Sequence, residues 1–259
     1  MMKKILTIAL TVAMIALSVC VFASCDAVVA SSAIAKADKA LTEGPYIVTM
    51  SMDFDCDNAQ LNQVFDAMSM EIPITVDGDN MALKMSTESM GISMDIGMTV
   101  VDKVLYYDMS LFGQSMKMKA TMSEENYKEF LDENGTEMPV DSAQFETLTL
   151  DTVDGKQVIT CTGITAEGLD ELNKLLGDSL TAMGAEAAVG DLSYVLTIAD
   201  GKYESMALTV SYSVTVDGET YTVSLTANAK YTYTEVEPIT VPADADKYTE
   251  VKFDEILGD

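Results

Sequence analysis

From Tyr46 onward, apolar side chains recur at every second position, and this period of two constrains the fold more than any other feature of the chain. Tyr46, Val48, Met50, Met52 and Phe54 alternate with polar neighbours, as do Met81, Leu83 and Met85, then Ile92, Met94, Ile96, Met98 and Val100, then Met116, Met118, Ala120 and Met122. Successive side chains of an extended strand point to opposite faces, so residues two apart form one stripe. Thirteen of the 19 methionines lie between Met50 and Met122, most of them in such stripes, and therefore share a face. Methionine is unbranched and polarizable. It suits an irregular core, a surface that adapts to an apolar guest, or a soft metal site.

Further strands read from Leu148 to Leu150, Val158 to Gly163, Leu192 to Ile198, Met206 to Val216 and Tyr221 to Tyr233. Asp-Gly pairs stand at Asp77-Gly78, Asp154-Gly155, Asp200-Gly201 and Asp217-Gly218. Asp-Gly between alternating runs marks a tight hairpin, because the primed turns need positive φ, and four of them predict an antiparallel meander. One-sided alternation also predicts that one sheet face meets water.

Helical spacing is confined to four segments. Val28 to Leu41 is alanine-rich and is stopped by Gly44-Pro45; Leu61, Val64, Phe65 and Met68 repeat at i, i+3, i+4 and i+7; Tyr127, Phe130 and Leu131 share a face. The longest runs from Thr165, a suitable N-cap, to Met183, with Leu169, Leu172, Leu175, Leu176 and Leu180 along one side. Asn134-Gly135 to Asp141 reads as a loop between two halves. With about 100 strand residues at roughly 3.3 by 4.8 Å each, the apolar sheet face is on the order of 1,600 Å². Four helices of ~53 residues in all cover roughly 800 Å². About half of the face remains to be closed by the sheet curling on itself or by a ligand.

Composition removes several classes of function. The chain has 42 Asp plus Glu against 15 Lys plus Arg, a net charge of −27, and all 15 are lysine. Such a surface repels nucleic acid. The absence of histidine removes the commonest general base and the usual zinc ligand, and the absence of arginine removes bidentate clamps for carboxylate or phosphate. No serine stands three residues before a lysine, and no Ser-His-Asp or Cys-His pairing is available. Carboxylate pairs are inevitable among 42 acids, yet no tryptophan offers a sugar-stacking platform. We expect no enzyme, no cofactor and no catalytic residue.

Met1-Met2-Lys3-Lys4 followed by apolar residues from Ile5 to Ala23 has the form of a secretory signal. Phe22-Ala23-Ser24-Cys25 resembles the bacterial lipobox, with Phe22 where leucine is usual; in the competing frame Leu17-Ser18-Val19-Cys20, Val19 is large for the position before the cut. Residues 1–24 are therefore expected to be a signal peptide and Cys25 the lipidated residue. The alternatives are a plain signal cut after Ala30 or a retained membrane helix. The expected organisation is residues 25–44 as anchored N-terminus and first helix and residues 45–259 as one domain whose halves meet near 134–142, held at the extracytoplasmic face of the cytoplasmic membrane. Cys56 and Cys161 fit no metal-ligand spacing and are expected as buried thiols, with a disulfide between them the alternative.

A lipobox, a short first helix, a long antiparallel meander with Met-rich strands, an internal helix and a late Ile239-Thr240-Val241-Pro242 segment together resemble the LolA/LppX-like lipoprotein-carrier superfamily. The chain looks most like the Met-rich lipoproteins of anaerobic Gram-positive bacteria, over about residues 28 to 257. The resemblance implies a mainly β (α+β) fold, a strongly curved antiparallel half-barrel with helices on its concave face. It also implies an apolar cavity for a lipid or amphiphile, lined by Met50, Met52, Phe54, Leu83, Met85, Met94, Met98, Met116 and Met118, with Leu172 and Leu176 on a lid helix. Soluble carriers of that superfamily lack an anchoring cysteine and hold the lid with an arginine. Cys25 and the absence of arginine point instead to a fixed receptor or handover protein, and Asp26 matches the residue that retains lipoproteins in an inner membrane.

Three binding alternatives stand beside this reading. Asp53-Phe54-Asp55-Cys56-Asp57-Asn58 is similar to a calcium loop but has Asn58 at the sixth position and Val64 at the twelfth. Met-x-Met pairs suit Cu(I), yet the same stripes carry leucine, isoleucine, valine and phenylalanine, so no metal is expected. The third is a non-enzymatic cell-surface structural or interaction lipoprotein with a self-packed sheet and no ligand cavity.

Overall fold

The computed structural model describes residues 25–58, 62, 70–89, 92–111, 113–127, 145–166, 168–169, 186–216 and 218–253. They build a mainly β protein. One helix, α1 (Cys25–Thr42), precedes eleven long strands: β1 (Tyr46–Cys56), β2 (Met70–Asp77), β3 (Asn80–Ser89), β4 (Ile92–Val101), β5 (Val104–Leu111), β6 (Gln114–Thr121), β7 (Phe145–Val153), β8 (Lys156–Ile164), β9 (Glu186–Ala199), β10 (Lys202–Val216) and β11 (Glu219–Thr232). A two-residue strand, β12 (Thr249–Glu250), ends the series. The hydrogen-bonded order is β12-β6-β5-β4-β3-β2-β1-β11-β10-β9-β8-β7, open at both ends.

The expected meander is present as two runs of neighbouring strands, β2 to β6 and β7 to β11, with β1 between β2 and β11. Two features depart from it. β12 pairs with β6 in parallel, Thr249 opposite Met118. β2 and β5 are full strands that alternation alone does not mark, because Pro73 interrupts one and the doubled Tyr106-Tyr107 breaks the period of the other.

Turn chemistry explains the register. Asp154 and Gly155 both have positive φ (51° and 80°), as do Asp200 and Gly201 (52° and 73°), the geometry a tight two-residue hairpin demands. At Asp77-Gly78 the loop is shifted by one, to Gly78-Asp79, so that Asp77 pairs with Asn80. The β4–β5 turn uses Asp102 and Lys103 at φ of 50° and 64° with no glycine, which is why its sequence carries no hairpin signature.

The chain divides into two compact units that interleave in sequence. One comprises Met1–Lys39, Ser51–Ser69 and Glu137–Ala229; the other comprises Ala40–Met50, Met70–Thr136 and Lys230–Asp259. In the first unit the sheet buries one face across β8 to β11, while Leu148 and Leu150 on β7 and Gln157 on β8 stay half-buried. Ile159 opposes Leu196, which opposes Met206; Cys161 opposes Tyr194, which opposes Leu208; Leu192 opposes Val210. All eight side chains are buried. β11 supplies Tyr221, Val223, Leu225, Ala227 and Ala229 at alternate positions. Gly190 is an unpaired extra residue between Val189 and Asp191 opposite Tyr212-Ser211, and this bulge moves the buried parity of β9 from odd to even numbers.

The helix α1 buries Ala30, Ala33, Ala37 and Leu41, a stripe at helical spacing. Tyr203 at the start of β10 donates its hydroxyl proton to the Asp38 carboxylate, and the Lys36 side chain lies over Gly201. Thr165 caps a helical turn, as expected of an N-cap: its hydroxyl accepts from the Gly168 N–H at 3.2 Å and its carbonyl from the Leu169 N–H at 2.8 Å. Leu172 and Leu176 lie outside the described residues, as do the signal segment 1–24, most of the 61–68 helix and the 134–142 loop.

The buried Tyr212 hydroxyl has no hydrogen-bond partner among the described residues, and burial pushes its pKa up. An unsatisfied buried hydroxyl costs about 1–3 kcal/mol. Tyr212→Phe is therefore expected to unfold at equal or higher urea concentration than the parent; a loss of about 1 kcal/mol or more would mean that the hydroxyl contributes to stability. A second expectation concerns Asp38, whose pKa burial raises above 3.8 against the opposing Tyr203 hydrogen bond. The folded chain then holds this proton more tightly than the unfolded chain, so stability from this group is gained as pH falls through the raised value and lost as pH rises. Asp38→Asn keeps an acceptor for Tyr203 and removes the charge. It should match or exceed the parent in thermal stability at pH 7, with the difference vanishing as pH approaches 3.8; a difference that widens on acidification contradicts the account.

Candidate functional site

The methionine face belongs to the second unit, and pairing fixes its composition. Paired residues of antiparallel neighbours point the same way. One rung runs Val76, Met81, Val100, Leu105 and Ala120 across β2 to β6. The next runs Ile74, Leu83, Met98, Tyr107 and Met118, and the third Met85, Ile96, Met109 and Met116. Met94 follows on β4. This is one apolar ladder, four strands wide or more.

Its cover is graded. In the first rung Met81, Val100, Leu105 and Ala120 are buried, with Met122 and Tyr127 packed on them and Phe253 added from the chain's end. Tyr127 is fixed there by a short helical turn that Ser123 caps, its hydroxyl accepting from the Asn126 N–H at 3.1 Å, and by donating its own hydroxyl proton to the Asp79 carbonyl at 2.7 Å. In the second and third rungs Ile74, Leu83, Met98, Tyr107, Met118, Met85, Ile96 and Met109 are only half-buried. The ladder ends at Met116, 42% exposed. β12 covers the β6 edge only opposite Met118 and Lys119, so Met116 projects beyond the capped stretch.

The opposite face of the same strands is apolar only beside the β4–β5 turn, at Val101, Val104 and Tyr106, and polar beyond it. The rung Lys84, Gly97, Asp108, Lys117 lies beside Ser86, Asp95, Ser110, Ser115, and together they line an open groove of about 340 Å³ over Gly97. Ser86 donates to Asp95 at 2.6 Å. The Lys117 ammonium reaches Asp244 at 2.8 Å and Asp108 at 2.9 Å, and sits 5.2 Å from the centre of the Tyr248 ring. The hydrogen bond to Asp244, then that to Asp108, raises the Lys117 pKa and keeps it charged; the same Lys117 contact lowers that of Asp244. Tyr248 meets Tyr106 edge to face, 5.4 Å between centroids. The terminal segment is thus held on the polar face at Tyr248 and on the apolar face at Phe253, crossing the β6 edge as β12.

Of the residues the sequence assigned to an apolar cavity, Leu83, Met85, Met94, Met98, Met116 and Met118 are brought onto this one face. Met50 and Met52 are half-buried on β1, where the boundary between the units falls after Met50; Phe54 is buried in the other unit. Leu172 and Leu176 lie outside the described residues, and Cys25 begins α1. The assignment omitted Ile74, Ile96, Tyr107 and Met109. Leu105, Tyr107, Met109 and Leu111 do alternate, and that pattern was the available signal.

The metal alternatives meet specific geometry. β1 continues through Cys56, so Asp53 and Asp55 point to solvent as an ordinary strand face. The Asn62 side chain accepts from the Cys56 N–H at 2.6 Å and donates to its carbonyl at 2.7 Å and to Asp55 at 3.0 Å, while Asp57 accepts from the Thr222 N–H at 3.2 Å. These acids are turned to different partners. Among the described residues no group of three or more His, Cys, Asp or Glu side chains is arranged to hold a metal ion. Cys56 and Cys161 are free, buried thiols. Burial raises the pKa of Cys56, and pushes that of Cys161 up to about 11.

Fold and face together define a mainly β protein that carries a Met-rich apolar ladder closed at one end. No family model matches the chain, and no curated protein matches it. Among solved structures, the ywiB protein from Bacillus subtilis is 8% identical over 72% of this chain and 91% of its own, with a TM-score of 0.19. MucB in complex with MucA(peri) is 9% identical over 80% of this chain and 100% of its own, with a TM-score of 0.12. Scores that low establish no common fold.

Alkylation tests the thiol assignment. A buried thiol with so high a pKa presents little thiolate at pH 8, so iodoacetamide should modify Cys161 at least ~100-fold more slowly in the folded chain than in urea. Comparable rates in the two states would place Cys161 at the surface.

Proposed function

We propose that this chain is a non-enzymatic lipoprotein, anchored through Cys25 to the outer surface of the cytoplasmic membrane, that binds or hands over a lipid or amphiphile on its methionine face. The single observation behind the reading is the graded ladder. Its first rung is a finished core, while the second and third keep Leu83, Met85, Ile96, Met98, Tyr107, Met109 and Met118 half-buried and leave Met116 exposed. Apolar surface left open in a contiguous patch marks an interaction site more often than scattered exposure does. Methionine lets such a surface reshape itself around acyl chains of different length. The resemblance to the LolA/LppX-like carriers, read from the sequence, favours the same ligand class.

The opposite face supplies an internal control. Met118→Glu, which puts a carboxylate on the ladder, should weaken binding of a fluorescent fatty acid by more than tenfold, about 1.4 kcal/mol. Lys84→Glu, on the polar face, should change it less than about twofold. Native mass spectrometry of protein extracted from membranes should show co-purifying lipid. If no lipid is carried and the fatty acid does not bind, the lipid reading is lost and the self-packed interaction lipoprotein takes its place.

A further inference from the structure

We propose that Met116 is an oxidation site for neutral hydroperoxides, and that its sulfoxide switches off the apolar face; the second clause rests on the lipid-binding reading above. The observation is a sharp ranking of thioether access. Met116 is 42% exposed, while Met81, Met122 and Met206 are 8%, 4% and 6% exposed. Of the other methionines whose side chains are described, Met50, Met52, Met85, Met94, Met98, Met109 and Met118 are half-buried and the rest are buried. Its nearest competitor on the rung, the half-buried Met109, has a sulfur lone pair occupied: the Tyr107 hydroxyl donates to Met109 Sδ at 3.6 Å. Buried Met206 is engaged in the same way by Tyr194, at 2.7 Å. Among the described methionine side chains, Met116 is thus the thioether that combines open access with a sulfur that accepts no hydrogen bond from a described residue.

The chemistry is a two-electron oxygen transfer. A lone pair on Met116 Sδ attacks one peroxide oxygen, the O–O bond breaks, and the departing hydroxide takes the remaining proton and leaves as water. Sulfur is oxidised to the sulfoxide and the peroxide is reduced. A net charge of −27 repels anionic oxidants and leaves uncharged peroxide the freer approach. The product places a strong S–O dipole at the open end of a ladder otherwise made of methionine, leucine, isoleucine and tyrosine. Acyl chains lose affinity for such a surface, because the sulfoxide must be desolvated to be covered.

The test treats the full chain with hydrogen peroxide and follows each methionine by peptide mass spectrometry. Met116 should be oxidised at least ~10-fold faster than Met81, Met122 and Met206, and Tyr107→Phe should speed Met109 specifically. Partially oxidised protein should bind the fluorescent fatty acid several-fold more weakly than untreated protein, whereas Met116→Leu, whatever its affinity before treatment, should bind equally well before and after the same treatment. Equal rates at exposed and buried methionines overturn the site. Selective oxidation with unchanged affinity, or equal loss in Met116→Leu, overturns the switch. If the untreated protein binds no fatty acid, the lipid reading and the switch fall together, while the rate ranking still decides the oxidation site.

Discussion

Strand register is the constraint on which the rest depends. Two antiparallel neighbours place their paired side chains on the same side, and a slip of one residue would carry every apolar group to the opposite face. With Met81 opposite Val100 and Val100 opposite Leu105, the methionine, leucine and isoleucine positions must assemble into a ladder, and Lys84, Asp95, Asp108 and Lys117 must assemble behind it. The turns hold that register. Asp102 and Lys103 accept left-handed backbone to keep Val101 against Val104, and Gly190 inserts one residue so that both ends of β9 bury their apolar side chains.

The two compact units use the same rule with different residues. β9 to β11 fill their face mainly with tyrosine, leucine, valine and isoleucine, whose shapes lock, and Leu192 to Ile198, Met206 to Val214 and Tyr221 to Ala229 bury it at alternate positions. β2 to β6 use methionine where shape matters less, and closure is local: Met122, Tyr127 and Phe253 cap one rung and leave the others half open. A face completed by fixed side chains serves as structure. One left in adaptable side chains has the character of a surface awaiting contact.

Much of this was legible in the sequence because period two is a local signal. The stripes from Tyr46 to Val100, the Thr165 cap, the first helix with its buried Leu41 and the Asp154-Gly155 and Asp200-Gly201 hairpins follow from neighbouring residues. Ile34, expected beside Leu41 on the helix face, is only half-buried, and Ala30, Ala33 and Ala37 take its place. What escaped were features that local pattern does not encode. β5 was hidden by two adjacent tyrosines that serve opposite faces, Tyr106 against Tyr248 and Tyr107 toward Met109. The exposure of Met116 depends on where a strand from the far end of the chain stops covering β6. The separation of Phe54 from Met116 depends on β1 passing from one unit to the other.

The terminal segment carries a consequence in time. Lys117 and Asp244 are 127 residues apart, and β12 reaches β6 only when that length of chain is present. Until then β6 is a bare edge with unpaired amide and carbonyl groups beside a run of apolar side chains, the arrangement most prone to recruit a foreign strand. Asp244, Tyr248 and Phe253 act as a latch that closes from the polar side, over the rim and onto the apolar side. The same segment thus closes the β6 edge, and a net charge of −27 opposes the approach of another copy of this acidic chain to an edge left open.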